Sequence, residues 1–183
     1  VWAETFRVII LDIPGQPGLS SDNRPPLRLP LSKKANGGGA ETTGKEETIR
    51  GWLESVISSL GLSSVRICGM SLGGWIGLDY SITHRETIKS LCLITTSGIA
   101  PARRSFFFRL LPLLFLGERG IKKINRIVHG PVPVDPEVDE FSILAAKHYR
   151  QFQDPIPIFT DKELESIDFP LLYIGGKKDA LLN

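Results

Sequence analysis

The sequence has little of the residue types that would place it in several common classes of protein. It contains two cysteines and three histidines, and neither type is grouped with acidic residues at the spacing of metal ligands. Neither a bound metal nor a disulfide scaffold is expected. Cys68 and Cys92 each fall in an apolar run that predicts a buried strand, so we expect two free core thiols. Free thiols favour a cytoplasmic protein.

An excess of charge of either sign is also missing. The 22 Lys and Arg residues nearly balance the 20 Asp and Glu residues, for a formal net charge of +2, and the basic residues look scattered along the sequence. Binding to nucleic acid requires basic residues gathered on one surface. We therefore expect no nucleic-acid partner.

No hydrophobic run is long enough to cross a membrane. The longest apolar stretch, Phe106–Leu116, is interrupted by Arg109 and Pro112, whereas a spanning helix needs about 20 mostly apolar residues. No transmembrane segment is expected. The stretch predicts a buried or half-buried helix, and two alternatives stay open. One is the apolar wall of an acyl pocket, and the other is a surface that contacts membrane or lipid.

What the sequence does contain is an alternation of strand and helix patterns in a chain with 42% hydrophobic residues. Apolar runs predict four strands, at Phe6–Asp12, Ser64–Gly69, Thr87–Thr95 and Pro170–Gly175. Helices are predicted at Glu46–Leu60, with Gly61 as its C-terminal cap, and at Trp75–Thr83. Strands joined by helices pair in parallel through right-handed crossovers. The predicted fold class is therefore α/β, with a mostly parallel sheet and flanking helices.

One long segment interrupts this alternation. Residues 99–165 show no strand signal and several helical pieces separated by prolines, which predicts an irregular helical insertion. We therefore divide the chain into a core at 1–98, the insertion at 99–165 and a continuation of the core at 166–183. A polar, glycine-rich tract at 33–44 predicts a surface loop.

A short motif between a predicted strand and a predicted helix indicates catalysis. Gly69-Met70-Ser71-Leu72-Gly73 matches the pattern G-x-S-x-G. In such a turn the serine has a strained backbone, and small residues two positions before and after it relieve crowding between strand and helix. Ser71 is predicted to be a nucleophile, and the backbone NH of Leu72 one donor of an oxyanion hole. The alternative is a tight turn in which the serine only caps the helix.

Around this turn the chain resembles the α/β-hydrolase family over nearly its whole length. The matching segments are VIILDIPGQPGLSS, VRICGMSLGGWIGLDYS, IKSLCLITTSGIAP and DKELESIDFPLLYIGGKKDALL. In the first of them Gln16-Pro17-Gly18 replaces a commoner His-Gly pair. The last resembles the family strand that leads, through glycine and a charged pair, to the catalytic acid. The resemblance implies Asp179 as that acid, the insertion as a cap over the active site, and no cofactor.

The histidines depart from the family pattern. His84, His129 and His148 all precede Asp179, whereas the family order is serine, acid, histidine. His84 is predicted to be a structural residue at a helix end, where a basic group favours the dipole. His129 and His148 remain candidates for a pocket residue or an unusual base. The resemblance places the expected base beyond Asn183.

The start of the sequence has a matching gap. The resemblance implies a second oxyanion donor in a loop before Val1, and a further strand between those predicted at Phe6 and at Ser64. Removing a central strand leaves backbone groups unpaired, at about 1 to 3 kcal/mol each. The first residue is not methionine, and no signal-type segment follows it. We therefore expect a partial sequence of a longer chain.

A second glycine-rich motif imitates a phosphate-binding loop. Residues 39–46 fit G-x-x-x-x-G-K, but Glu46 stands where a hydroxyl would bind magnesium, and no strand runs directly into the loop. Nucleotide binding is therefore not expected.

From the motif and the resemblance we expect a carboxylesterase that acts on a small or medium acyl substrate. The Phe- and Leu-rich insertion suits an apolar group under a cap. A serine at position 71 argues against the haloalkane dehalogenases and epoxide hydrolases of this fold, which have an aspartate there. Acyltransferases, thioesterases and carbon–carbon bond hydrolases remain alternatives within the fold. A noncatalytic binding protein on the same scaffold is the alternative of a different class.

Overall fold

The centre of the fold is a parallel sheet of three strands. A computed structural model of the protein describes residues 2–28, 48–101, 103–149, 155–177 and 179. In this part of the chain the strands are β1 (Val65–Met70), β2 (Ile88–Ile94) and β3 (Leu171–Ile174). They lie in the order β1-β2-β3, and both neighbouring pairs are parallel. The predicted α/β class is confirmed.

Six α-helices accompany the strands in the described residues. They are α1 (Ile49–Ser59), α2 (Leu72–Thr83), α3 (Arg104–Leu114), α4 (Gly117–His129), α5 (Pro136–His148) and α6 (Asp161–Glu165). Single 3-10 turns occupy Trp2–Glu4 and Arg85–Thr87. Helices α3 to α6 fall within the residues predicted as an insertion, whose division from the core stays a prediction. The glycine-rich tract at 33–44 and the phosphate-loop-like residues 39–46 lie outside the described residues.

Helix α1 lies within the predicted range Glu46–Leu60, but it begins at Ile49 and ends at Ser59. The Thr48 hydroxyl accepts a hydrogen bond of 3.2 Å from the Gly51 NH, which caps the first turn. Gly61 follows the helix with a φ of 64°, a conformation that glycine adopts without strain. The buried apolar residues recur every four positions, at Ile49, Leu53 and Ile57. They form the stripe that packs this helix against the core.

Helix α2 lies at the centre of the core. Eight of its twelve residues are buried, and it contacts β1, β2 and α1. Trp75 and Leu78 have no exposed surface. A helix that is apolar on nearly every side is stable only when it is enclosed in this way. The helix therefore fixes the position of the turn that precedes it.

One charged group on α2 is buried in the same core. Asp79 is 3% exposed, and its Oδ1 accepts hydrogen bonds from Nε and Nη2 of Arg28 at 3.0 and 2.8 Å. Nη1 of Arg50 lies 3.4 Å from the other carboxylate oxygen. Burial raises the pKa of Asp79 above its ordinary value, although the two guanidinium groups act to lower it. The Arg28 guanidinium also lies over the rings of Trp75 and Phe159, so it joins three segments of the chain.

The strand predicted at Phe6–Asp12 is not formed. Residues 7–13 have no regular structure, and the apolar side chains between Phe6 and Leu11 are 37 to 88% exposed. A cavity of about 730 Å³ is lined on one side by residues 6–13 and on the other by β1 and α1. A strand needs a neighbour for its backbone hydrogen bonds. The predicted strand at Phe6–Asp12 is wrong because it has no neighbouring strand to pair with. The cavity lies where the resemblance implies that further strand.

The cavity also changes the environment of the cysteines. Cys68 and Cys92 are register neighbours on β1 and β2, and both are free thiols, as predicted. Cys92 is half-buried, but Cys68 is exposed, so its predicted place in the core is wrong. Partial burial and the neighbouring Cys92 thiol raise the pKa of Cys68.

One of the prolines expected to interrupt the insertion does not do so. Pro112 lies inside α3, which continues for two more residues. Proline removes one helical hydrogen bond, but its fixed φ is itself helical. Near the end of a helix the lost bond leaves the shape intact, and the predicted break at this position is wrong.

Candidate active site

The turn between β1 and α2 holds Ser71 in a backbone conformation that few residues with a side chain adopt. Its φ is 49° and its ψ is −115°. Ser71 is exposed, and its side chain makes no capping hydrogen bond to α2. The alternative of a serine that only caps the helix is therefore wrong. The hydroxyl is open to an approaching substrate.

Backbone hydrogen bonds hold this strained turn from two sides. The Ser71 NH donates to the carbonyl of Ile94, the last residue of β2, at 3.0 Å. The Ser71 carbonyl accepts from the NH of Trp75 at 3.1 Å and from the NH of Ser97 at 3.4 Å. Strained residues persist only where the surrounding structure determines them in this way.

Two glycines allow the strand and the helix to approach, but they are not the two that the motif suggests. A Cβ on Gly69 would lie 2.6 Å from the carbonyl carbon of Gly73 and 2.7 Å from the Cα of Gly74. A Cβ on Gly74 would collide with Oγ1 of Thr96. A Cβ on Gly73 would meet only Cδ1 of Ile13, at 4.0 Å. The crowding predicted at position 73 is wrong, and the close contact involves Gly69 and Gly74.

Leu72 is the first residue of α2 and directly follows Ser71, the predicted nucleophile. The first NH groups of a helix have no acceptor within it, and the helix dipole favours negative charge at this end. A carbonyl oxygen beside Ser71 would meet these groups as it becomes negatively charged. The role of Leu72 as an oxyanion donor stays a prediction.

Asp179 leaves the sheet at the same edge as Ser71. The last residues of the three strands are in register with one another, at Met70, Ile94 and Ile174. Two strand spacings, about 10 Å, separate β1 from β3. Asp179 is half-buried and follows a turn in which its NH donates to the Gly176 carbonyl at 3.1 Å. The topology supports its predicted role as the acid, which stays a prediction.

The histidines lie at helix ends. His84 follows the last residue of α2, about 18 Å along the helix from Ser71. Its ring stacks on Tyr80 with centroids 4.3 Å apart, and its Nε2 is 3.6 Å from a carboxylate oxygen of Glu54. This is the structural role that the sequence predicts. His129 and His148 are exposed last residues of α4 and α5.

The residues predicted as an insertion contact a loop beside the β1–α2 turn at Ser71, which we call the elbow. Ile13, which reaches toward Gly73, is followed by a turn at Gly15. Tyr149, directly after α5, donates its hydroxyl to the Gly15 carbonyl, and the Arg24 guanidinium lies 4.6 Å from the Tyr149 ring centroid. Tyr149 is not predictable from the sequence, because no local pattern marks a contact across 134 residues.

A second contact fixes the chain where it returns from the insertion to the core. The indole NH of Trp75 donates to the Pro157 carbonyl at 2.8 Å, and its ring lies 5.5 Å from that of Phe159. The Phe159 NH donates to the Gly98 carbonyl at 2.8 Å. Trp75 stands four residues after Ser71, so it couples α2 to this return segment.

The described part of the chain offers no site for a resident metal. No group of three or more His, Cys, Asp or Glu side chains is placed there to hold an ion. None of the helices in that part is both long and apolar enough to cross a bilayer.

Similar proteins share the fold seen here. No protein-family model matches the chain. The carboxylesterase YbfK of Bacillus subtilis is 23% identical to it over 138 residues, which cover 71% of this chain and 46% of that protein. The crystal structure of the same carboxylesterase matches with a TM-score of 0.60, covering 73% of this chain and 50% of that one. The chain has the α/β-hydrolase fold.

Other enzymes with this α/β-hydrolase fold match at lower coverage or identity. The naproxen esterase of Bacillus subtilis matches with a TM-score of 0.56 at 23% identity, covering 68% of this chain and 46% of that one. A meta-cleavage product hydrolase of Pseudomonas fluorescens matches with a TM-score of 0.60 at 14% identity, covering 79% of this chain and 58% of that one. The chain spans about half the length of the curated relative it matches, which agrees with the expectation of a partial sequence.

Proposed function

We propose that the protein is a serine hydrolase that cleaves a carboxylic ester with a small or medium acyl group. The conformation of Ser71 supports this most strongly. The residue has a positive φ, its hydroxyl is exposed, and the hydroxyl does not cap the helix that follows. A strained serine whose hydroxyl does not cap the following helix is characteristic of a nucleophile at such a turn.

In the proposed reaction the Ser71 hydroxyl oxygen attacks the acyl carbon of the ester while a base takes the hydroxyl proton. The carbonyl oxygen becomes an oxyanion, which the backbone NH of Leu72 stabilises. Cleavage of the ester bond releases the alcohol with that proton and leaves the acyl group on Ser71. Water then attacks the acyl-enzyme with help from the same base, which releases the acid and restores the serine.

Asp179 is the proposed partner of the base. A carboxylate in this position holds an imidazole in the correct tautomer and stabilises its charged form. The shared sheet edge of Asp179 and Ser71 supports this assignment. The proposed base is a histidine beyond Asn183, in the family order of serine, acid and histidine. His84 is unsuitable because it lies at the opposite end of α2, and His129 and His148 stay candidates for an unusual base.

The substrate class rests on the similar proteins and on the insertion. A relative by sequence and a relative by structure are both carboxylesterases. Apolar side chains of the insertion suit an apolar acyl or alcohol group. The match to a meta-cleavage product hydrolase makes carbon–carbon bond hydrolysis the second candidate. A noncatalytic binding protein remains the alternative of another class.

Ester hydrolysis by serine variants of the full-length protein tests the proposal. We expect hydrolysis of p-nitrophenyl acetate and butyrate, lost in Ser71→Ala and retained in Ser63→Ala. Ser63 is a matched control because it is exposed and precedes β1, at the opposite edge of the sheet. Turnover that survives Ser71→Ala would contradict the proposal. Cleavage of a carbon–carbon bond but not of either ester would favour the second candidate.

A further inference from the structure

Helix α3 presents an apolar stripe to solvent. Four exposed apolar residues lie along α3 and the turn after it: Leu111 and Pro112 follow Phe108 by three and four residues, and Phe115 follows them by four and three. Phe108 is 76% exposed and Phe115 is 84% exposed. These spacings place all four on one side of the helix. Contiguous exposed apolar residues of this kind mark interaction surfaces, unlike isolated ones.

The next helix, α4, presents a basic stripe. Arg119, Lys122, Lys123 and Arg126 are exposed, and their spacing places them on one face. The half-buried residues Ile121, Ile124 and Ile127 lie outside this face. The basic residues are therefore not scattered, as the sequence suggested. They form a continuous surface once the helix is formed.

The basic stripe has little negative charge beside it, and the attraction of Lys122 to Glu118 is the exception. Within the described residues none of its four side chains forms an ion pair. Glu118, the one acidic residue of α4, is paired with Lys147 of α5 at 2.6 Å. From Arg103 to His129 the sequence has seven basic and one acidic residue, a net charge of +6. Since the whole chain carries +2, the remaining residues carry −4.

The packing between α3 and α4 leaves both stripes uncovered. A Cβ on Gly120 of α4 would collide with the Leu113 carbonyl of α3 and would lie 3.2 Å from the Leu116 Cβ. Helical spacing places Leu113 well away from the apolar stripe, and Gly120 outside the basic stripe. The hairpin formed by residues 103–129 therefore directs one apolar and one basic stripe to solvent.

We propose that this hairpin binds the surface of an anionic phospholipid bilayer. The apolar side chains of α3 enter the boundary between headgroups and acyl chains, while the basic side chains of α4 lie among lipid phosphates. Charge complementarity selects this partner, and the adjacent apolar stripe distinguishes it from nucleic acid, which would leave Phe108 and Phe115 in water. The inference does not depend on catalysis by Ser71.

Vesicle flotation with the full-length Ser71→Ala protein tests the proposal without lipid hydrolysis. The two vesicle types are phosphatidylcholine alone and phosphatidylcholine mixed with phosphatidylglycerol, each at low and high ionic strength. We expect binding to the anionic vesicles at low ionic strength and a marked loss at high ionic strength, because salt screens exposed charges. Absence of binding, or equal binding to both vesicle types, would overturn the proposal.

Paired variants separate the contributions of the two stripes. Removing both lysines in Lys122→Ser/Lys123→Ser should weaken binding by about 30-fold, with no such loss in the exposed control pair Lys89→Ser/Lys162→Ser. Phe115→Ser should weaken binding about tenfold. Its control is Leu19→Ser, because Leu19 is 99% exposed and lies outside the hairpin.

Three results would assign the hairpin to a different occupant. Vesicle binding that depends on the lysines but not on Phe115 would exclude insertion. A wild-type dimer that Phe115→Ser converts to a monomer would show that a second copy covers the stripe. Salt-dependent binding to double-stranded DNA, tighter than binding to anionic vesicles, would indicate nucleic acid. Each of these results contradicts the proposal.

Discussion

The two glycines of the elbow motif should respond differently to replacement by alanine. In Gly69→Ala the new Cβ lies 2.6 Å from the Gly73 carbonyl carbon and 2.7 Å from the Gly74 Cα. Both are backbone atoms, so no side-chain rotation relieves the contact. In Gly73→Ala the nearest heavy atom is Cδ1 of Ile13 at 4.0 Å, an ordinary van der Waals distance.

The expected magnitudes follow from this geometry. Overpacking of a tight contact costs about 1 to 3 kcal/mol, and the relief available to Gly69→Ala is a movement of β1 away from α2. That movement would also displace Ser71, which lies between them. Gly73 is the second residue of α2, where alanine is favoured over glycine, so Gly73→Ala should stabilise the protein by roughly 0.5 kcal/mol.

Urea unfolding and ester hydrolysis together measure both effects. Gly69→Ala should lower the urea midpoint and the rate of p-nitrophenyl butyrate hydrolysis, while Gly73→Ala should leave the rate near that of the wild type and raise the midpoint slightly. Equal loss of stability in the two variants would refute the reasoning. So would a Gly69→Ala protein with wild-type stability and rate.

Three further predictions concern groups around the elbow. Asp179→Asn should reduce the turnover number by roughly four orders of magnitude in steady-state kinetics, because the base loses its correct tautomer. The control Asp161→Asn, at an exposed position, should leave the turnover number unchanged. Trp75→Phe leaves the Pro157 carbonyl unpaired and should lower the free energy of unfolding by about 1 to 3 kcal/mol in urea titrations. Burial raises the pKa of Asp79, so the folded chain binds the carboxyl proton more tightly than the unfolded chain does. This proton binding stabilises the fold at low pH, and the stabilisation is lost as the pH rises through the raised pKa of the folded state. Urea midpoints measured against pH should change less over that interval in Asp79→Asn.

The parts of the fold that the sequence predicts correctly are those whose signals are local. Strands β1, β2 and β3 each begin and end within a residue or two of an apolar run bounded by polar or turn residues. The signals that end helix α1 are also local: Thr48 caps its first turn, and Gly61 follows its last turn. Phe6–Asp12 carries the same strand signal, yet pairing depends on a neighbour that no local pattern supplies.

The candidate active site also has a part that the sequence predicts and a part that it does not. The turn at Ser71 is contiguous in sequence, so a five-residue motif identifies it. Ile94 and Ser97, which hold the turn through backbone hydrogen bonds, lie outside that motif. The base, by contrast, is brought to a serine only by the fold, and the three histidines of this chain show no pattern that assigns it. The contact of Tyr149 with Gly15 has no sequence signal for the same reason. The basic stripe of α4 looks scattered in the linear sequence and is recognised only with helical periodicity.

Labelling of the full-length protein with a fluorophosphonate probe tests the central claim most directly, with the modified peptide identified by mass spectrometry. An activated serine reacts with such a probe, whereas an ordinary surface hydroxyl does not. We expect one labelled peptide, modified at Ser71. Prior treatment with a second fluorophosphonate of different mass should prevent this labelling. A folded protein that hydrolyses p-nitrophenyl butyrate but is labelled at a different serine, or is not labelled, would contradict the claim.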